Sequence, residues 1–164
     1  MAEQSELTVS QGTLVMTHWS RHPLLEVRWD AIPAQIRGPK PRGLWLSDER
    51  DGQRGWKEWC KAEGFRLRDL RHGRQFRLNL SRTLWIQSAR EMDQFTEDYR
   101  TDDPVNSVSG PSTYFIDRPQ VAQRWAGILI TPHRQDRRLA GSSRWYYGWD
   151  CASACVWSPE GIAG

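Results

Sequence analysis

Residues 145–157 read WYYGWDCASACVW: three tryptophans, two tyrosines, two cysteines and a single acid, Asp150. Tryptophan is demanding to place, because its ring is large and its N–H needs a partner when buried. So many rings beside one carboxylate imply either a packed terminal strand pair or a pocket for a flat ligand with a charged residue in it. The stretch reads as the closing wall of a site opened by two earlier segments, Thr17-His18-Trp19-Ser20 and Gly43-Leu44-Trp45-Leu46-Ser47-Asp48. It ends in a strand over 154–157.

Working back along the chain, residues 127–131 (GILIT) form an apolar run bounded by glycine and proline, which predicts a buried strand. A basic loop, HRQDRRLAGSS over 133–143, links that strand to the aromatic stretch. Asp117-Arg118-Pro119 reads as a helix start, with Asp117 as cap and Pro119 in the first turn, and the helix runs to about Trp125. Residues 101–113 are polar and rich in Pro and Gly and read as a mobile loop. Met92, Phe95 and Tyr99 stand at helical spacing within 89–100. Residues 83–87 (TLWIQ) read as a strand, and 75–80 alternates Phe76, Leu78 and Leu80 against Arg77 and Asn79, a half-buried strand.

Towards the N-terminus, Trp56, Trp59 and Cys60 fall at i, i+3 and i+4, which predicts a helix over 56–63 with Gly64 as its stop. Ser47-Asp48 offers a capping acid ahead of it. Residues 37–43 hold two prolines and two glycines, so they form a loop, with three positive charges, feeding a strand at 44–47. Residues 24–34 fit a strand or a short helix. A strand over 13–18 (TLVMTH) ends at His18 and is broken by Ser20-Arg21-His22-Pro23. Residues 1–11 read as a loose tail.

The whole is one domain of 164 residues, long enough for a real core. The fold class is α+β: about six strands in a split mixed sheet with three or more helices. No apolar run approaches the roughly 20 residues of a spanning helix. The start, MAEQSELTVSQG, is acidic and polar and is not a signal peptide. A cytoplasmic protein with no membrane partner is expected.

Cys60, Cys151 and Cys155 do not make a disulfide framework. They read as buried thiols, since a zinc site would need a fourth ligand and a tighter spacing; no metal is expected. The net charge is +3, and of 23 basic residues three are lysines: Lys40, Lys57 and Lys61. Arginine's planar fork suits phosphates and stacked bases, so this bias is compatible with a nucleic acid or a dinucleotide, as it is with genomic base composition.

A strand ending in His-x-Ser, a strand reading Gly-Leu-Trp-Leu-Ser before a helix, and a late strand region with an acid together resemble the ADP-ribosyltransferase fold of the His-Tyr-Glu type. That fold is shared by the poly-ADP-ribose polymerases and, more loosely, by RNA 2′-phosphotransferases. In the family the first strand ends in His-Gly-Ser or His-Gly-Thr, and the second reads Gly-hydrophobic-Tyr-Phe. By this resemblance His18 holds a ribose hydroxyl of NAD, the Trp19 backbone pairs with the nicotinamide amide, and Ser20 contacts ribose. Gly43, Trp45, Ser47 and Trp56 fall in the dinucleotide site, with Trp45 where the family has a stacking tyrosine. Trp19 stands in place of the family glycine. The final strand has no glutamate, so Asp150 takes the place of the catalytic acid.

The chemistry this implies is cleavage of the nicotinamide–ribose bond, which builds positive charge on the ribose that a nearby carboxylate stabilises. Arginines of the 37–42 loop, Arg42 among them, or Arg134, Arg137 and Arg138, would neutralise the pyrophosphate. The reading is an NAD-dependent mono-ADP-ribosyltransferase of the pentosyl-transferring class. Its acceptor is a nucleic acid or a protein, and water in the acceptor's place would make it an NAD glycohydrolase. Its size suits a toxin, a phage-encoded modifier or a defence effector, with a neutralising partner. The rival from another class is a non-catalytic module that binds RNA or DNA through arginine and aromatic side chains. A third, a structural phage or assembly protein, predicts a large exposed apolar patch. His18 and Asp150 in one cleft with Trp45 would favour the enzyme. Buried tryptophans and an open arginine stripe would favour the binding module.

Overall fold

The structure, a computed structural model, describes residues 9–10, 12–105, 113–138 and 141–164. Among these the elements run β1 (Val9–Ser10), β2 (Thr13–Ser20), β3 (Leu44–Ser47), α1 (Trp56–Glu63), β4 (His72–Asn79), β5 (Thr83–Ile86), α2 (Ala89–Tyr99), β6 (Arg100–Val105), β7 (Thr113–Ile116), α3 (Arg118–Arg124), β8 (Gly127–Ile130) and β9 (Ser153–Val156). Short 3-10 turns fill several links, the longest being Gly141–Gly148.

Seven strands join one mixed sheet in the order β1-β2-β3-β9-β8-β5, with β4 also paired to β2. β4 runs antiparallel along the full length of β2, from Thr13↔Asn79 to Ser20↔His72. The opposite edge of β2 is shared by β1 and β3, the latter at Thr17↔Ser47. β5 and β8 are parallel, and the other ladders are antiparallel. The fold is therefore α+β with a mixed sheet, as the patterning predicts.

β8 and β9 are buried at every position because both faces of the sheet are covered. The strand period of two then divides their side chains between two cores. Ile128, Ile130 and Cys155 join Ile86, Met92, Phe95, Ile116, Val121, Trp145, Tyr146 and Trp149 on the helical side. Leu129, Ala154 and Val156 join Leu14, Met16, Leu44, Leu46, Phe76 and Leu78 on the other. Fully burying an aliphatic side chain of this kind stabilises by about 1.5–3 kcal/mol.

The helices carry their own boundary chemistry. Ser88 Oγ accepts from the Glu91 amide at 3.1 Å, and the Glu91 carboxylate accepts from the Gln87 amide at 2.7 Å, reciprocal bonds that start α2. Asp117 caps α3 through the Gln120 amide. Gly64 ends α1 in the left-handed region at φ 61°. The start of α1 differs from expectation. Ser47, not Asp48, supplies the cap, its Oγ accepting from the Trp56 amide at 2.7 Å. Asp48 is instead wholly buried, taking hydrogen bonds from Arg50 and from the Thr131 hydroxyl at 2.6 Å.

Four other expectations change. Val9 and Ser10, assigned to a loose tail, pair with Leu14 and Thr13; residues 1–8 and 11 lie outside the described residues. The 101–113 segment is a loop in part at most. Its first residues form β6 against β7, and Pro104 masks the strand signal because it fits an edge with an irregular register; residues 106–112 lie outside the described residues. Residues 24–34 hold one 3-10 turn, Trp29–Ala31, in place of a strand or a helix. The aromatic stretch is not a terminal strand pair. Its rings sit on and just after the Gly141–Gly148 turn, and the strand begins at Ser153. Among the described residues no helix is long and apolar enough to cross a membrane.

Candidate active site

β2 and β3 separate beyond Thr17↔Ser47, and the gap between them opens a cleft of about 300 Å³. Its walls are the end of β2 (Thr17, His18, Trp19), β3 (Trp45, Leu46, Ser47) and the first residue of α1, Trp56. Gly148, Trp149 and Asp150 close it, together with Cys151 and Ser153, and Lys40, Arg66 and Asp69 lie at its borders. Three segments far apart in sequence thus meet as their residue types suggest. His18, Trp19, Trp45, Ser47, Trp56 and Asp150 all line one cavity.

The His18 ring crosses the gap between the strands. Its Nδ1 lies 2.9 Å from the Trp45 carbonyl oxygen. A carbonyl only accepts, so Nδ1 carries the proton. In the neutral ring Nε2 is then an acceptor for a ligand hydroxyl.

Trp45 is half-buried and meets Trp149 edge-on, with ring centroids 4.9 Å apart. The Lys40 ammonium stands 5.6 Å from the Trp45 centroid. Trp149 is itself buried within an aromatic group with Trp145 and Tyr146. That group fixes the backbone from which Asp150 projects. His133 adds to the hold: its Nε2–H donates to the Trp149 carbonyl at 2.7 Å, and burial pushes its pKa below the usual histidine value.

Asp150 accepts from the Arg138 guanidinium at 3.0 Å, and its side chain remains 27% exposed. The acid lines the same cavity as His18 and Trp45.

The Trp19 ring is accommodated by a glycine across the ladder. Its ladder partner is Gly73, and a Cβ there would lie 2.8 Å from the Trp19 ring. The indole N–H donates to Glu49 at 2.7 Å, and the Lys57 ammonium lies 5.2 Å from the ring centroid. Glu49 also accepts from Ser47 Oγ at 2.7 Å, so one carboxylate ties the ends of β2 and β3 together.

Three residues assigned to the site by sequence are not among those lining the cleft. The Ser20 hydroxyl donates to the His22 carbonyl at 2.6 Å, within its own turn. Gly43 lies against β9, where an added Cβ would come within 2.3 Å of the Val156 carbonyl oxygen. Arg42 is exposed, and its backbone is bound to the Gln35 side chain. The cation the 37–42 loop brings to the cleft is Lys40. Of the other arginines named for the pyrophosphate, Arg134 and Arg137 pair with Asp136 and Asp93.

Sequence reading also missed Arg66 and Asp69, which line the cleft. They follow Gly64 in a short 3-10 turn that no periodicity marks. The Cys151 thiol lines the cleft, but burial pushes it up to about 12, which keeps it protonated and unsuited to nucleophilic attack. Cys60, Cys151 and Cys155 are all free and buried. Among the described residues no three His, Cys, Asp or Glu side chains gather as a metal-binding group.

No family model, curated protein or solved structure matches this chain.

Proposed function

We propose that the cleft binds NAD and cleaves its nicotinamide–ribose bond, passing ADP-ribose to an acceptor. The observation that carries this reading is the convergence of His18, Trp45 and Asp150 in one cavity. Each then has a chemical task. His18 Nε2 accepts from a ribose hydroxyl while Nδ1 stays on the Trp45 carbonyl. The indoles of Trp45 and Trp56 offer flat apolar faces for the nicotinamide. Lys40 and Arg66 at the borders supply positive charge for the pyrophosphate.

In the reaction the C1′–N bond breaks and nicotinamide leaves with the bonding pair. The acceptor's nucleophile bonds to C1′, and the proton it loses passes to the Asp150 carboxylate. Before that, the same carboxylate faces the positive charge that grows on the ribose ring. A preorganised charge of this kind is worth about 10²–10³ in rate.

The test is tryptophan-fluorescence quenching by NAD together with nicotinamide release, on the wild type beside His18→Ala and Asp150→Ala, with circular dichroism as the folding control. Quenching and release in the wild type that are lost in the folded variants support the reading. No quenching and no release, even with cell extract as a source of acceptors, overturns it in favour of a non-catalytic nucleic-acid-binding module.

A further inference from the structure

The turn after α1 builds a second concavity beside the cleft. It is an open basin of about 590 Å³ lined by Arg21, Gly64, Arg66, Leu67, Arg68 and Asp69. Arg66 and Asp69 belong to both concavities, so the basin begins where the cleft wall ends. Between 66 and 77 the sequence carries five arginines against one acid, Asp69. That acid reaches Arg66 at a distance of 3.9 Å. Arg74 is committed to the Leu24 and Leu25 carbonyls. Arg21 and Arg68 are exposed, and among the described residues neither has an ion-pair partner.

A line of aromatic rings runs from the cleft to Phe65, which sits between the basin residues Gly64 and Arg66. Trp56, in the cleft wall, stacks on Trp59 with centroids 5.1 Å apart and planes 16° apart. Trp59 meets Phe65 edge-on at 5.5 Å. Phe65 is 46% exposed with the Arg66 guanidinium 5.5 Å from its centroid, and Leu67 beside it is 53% exposed. An exposed ring, Phe65, at the end of a row of half-buried indoles and close in sequence to the unpaired Arg68 matches a ligand that alternates flat faces and negative charges. A duplex hides its base faces, and a folded protein surface offers no such alternation.

We propose that this basin and its aromatic rim bind a single-stranded nucleic acid. Its phosphates meet Arg21 and Arg68, a base stacks on Phe65, and the adjoining nucleotide enters the cleft as the acceptor. The transfer step rests on the NAD-cleaving reading; the binding surface does not. In that step a base nitrogen bonds to C1′ as nicotinamide departs with its electron pair, and the displaced proton goes to Asp150.

The experiment titrates the full chain into a fluorescein-labelled single-stranded RNA oligonucleotide, and into its DNA counterpart, from about 50 to about 200 mM salt. Removing two phosphate contacts in the Arg21→Ala/Arg68→Ala double variant weakens binding at least about tenfold at low salt. It also lowers the log–log salt slope by about 1.4, at roughly 0.7 per contact. Phe65→Ala weakens binding about 5- to 100-fold at every salt concentration without changing the slope. NAD quenching is unchanged in the arginine variant, whose replaced residues lie outside the cleft.

Wild-type affinity and slope in the arginine variant overturn the proposal. So does a wild type that binds neither oligonucleotide at about 50 mM salt, or ADP-ribose transferred to protein alone. Oligonucleotide binding with the stated losses but no nicotinamide release keeps the surface and removes the NAD reading. Nicotinamide release with no oligonucleotide binding does the reverse.

Discussion

His18 and Trp45 are joined across the gap in the sheet, His18 Nδ1 lying 2.9 Å from the Trp45 carbonyl oxygen. The bond does two things at once. It satisfies a backbone acceptor where the β2–β3 ladder has ended, and it fixes which ring nitrogen remains for a ligand. A side chain able to do one of these and not the other separates the two roles. His18→Asn retains a short polar group without the second ring nitrogen, and His18→Ala removes both. Nicotinamide release is expected to fall in both variants. Thermal stability is expected to fall chiefly in His18→Ala, by about 1–3 kcal/mol for the unpaired carbonyl. Chemical denaturation beside a nicotinamide assay reads both.

In the proposed reaction Asp150 works through charge, and Arg138 pairs with its carboxylate at 3.0 Å. Asp150→Asn preserves shape and removes the negative charge. Its expected effect is a loss of about 10²–10³ in the rate of nicotinamide release with NAD affinity little changed. Arg138→Ala frees the carboxylate to rotate, so its loss should be smaller. Separate kcat and KM values for the two variants check this. A drop confined to KM would assign Asp150 to binding.

Much of this site was legible before the fold was known, for a physical reason. His18, Trp45 and Asp150 are residue types whose placement is chemically demanding, and His18 and Trp45 lie in strands whose patterning is easy to read, although β2 runs on to Ser20 rather than ending at His18. Lys40 was not legible, because the 37–43 loop offers three cations and nothing local says which one turns inward. Arg66 and Asp69 sit in a 3-10 turn entered through Arg66 at φ 46°, a conformation that side-chain periodicity does not encode. The 3-10 turn at Gly141–Gly148 was equally hidden. Its rings Trp145 and Tyr146 read as strand or pocket residues, and only packing against α2 and β7 decides.

Gly43 was assigned to the ligand by its place in the motif, and the structure gives it a packing task. An alanine Cβ at this position would lie 2.3 Å from the Val156 carbonyl oxygen and 3.1 Å from Cys155 Sγ. Both are on β9, in the middle of the sheet. Gly43→Ala must therefore push β3 from β9, and overpacking of this kind costs about 1–3 kcal/mol. The expected result is a lowered urea midpoint, with NAD affinity following only as far as folding does. Gly38→Ala is the control, since a Cβ there meets nothing within 4 Å.

His133 is expected to make stability depend on pH just below neutrality. Burial is the largest influence on its ring and lowers the pKa from 6.5, while the bond to the Trp149 carbonyl opposes the shift. The unfolded chain then binds a proton at this position at a higher pH than the folded chain does. Stability is complete above about pH 6.5 and falls as the pH drops through the window between that value and the lowered folded pKa. Thermal melts between about pH 5 and 8 should show a declining midpoint on the acid side. In His133→Gln, which keeps a donor for the Trp149 carbonyl but does not titrate, that decline should be reduced. An unchanged acid limb in the variant would place the titrating group elsewhere.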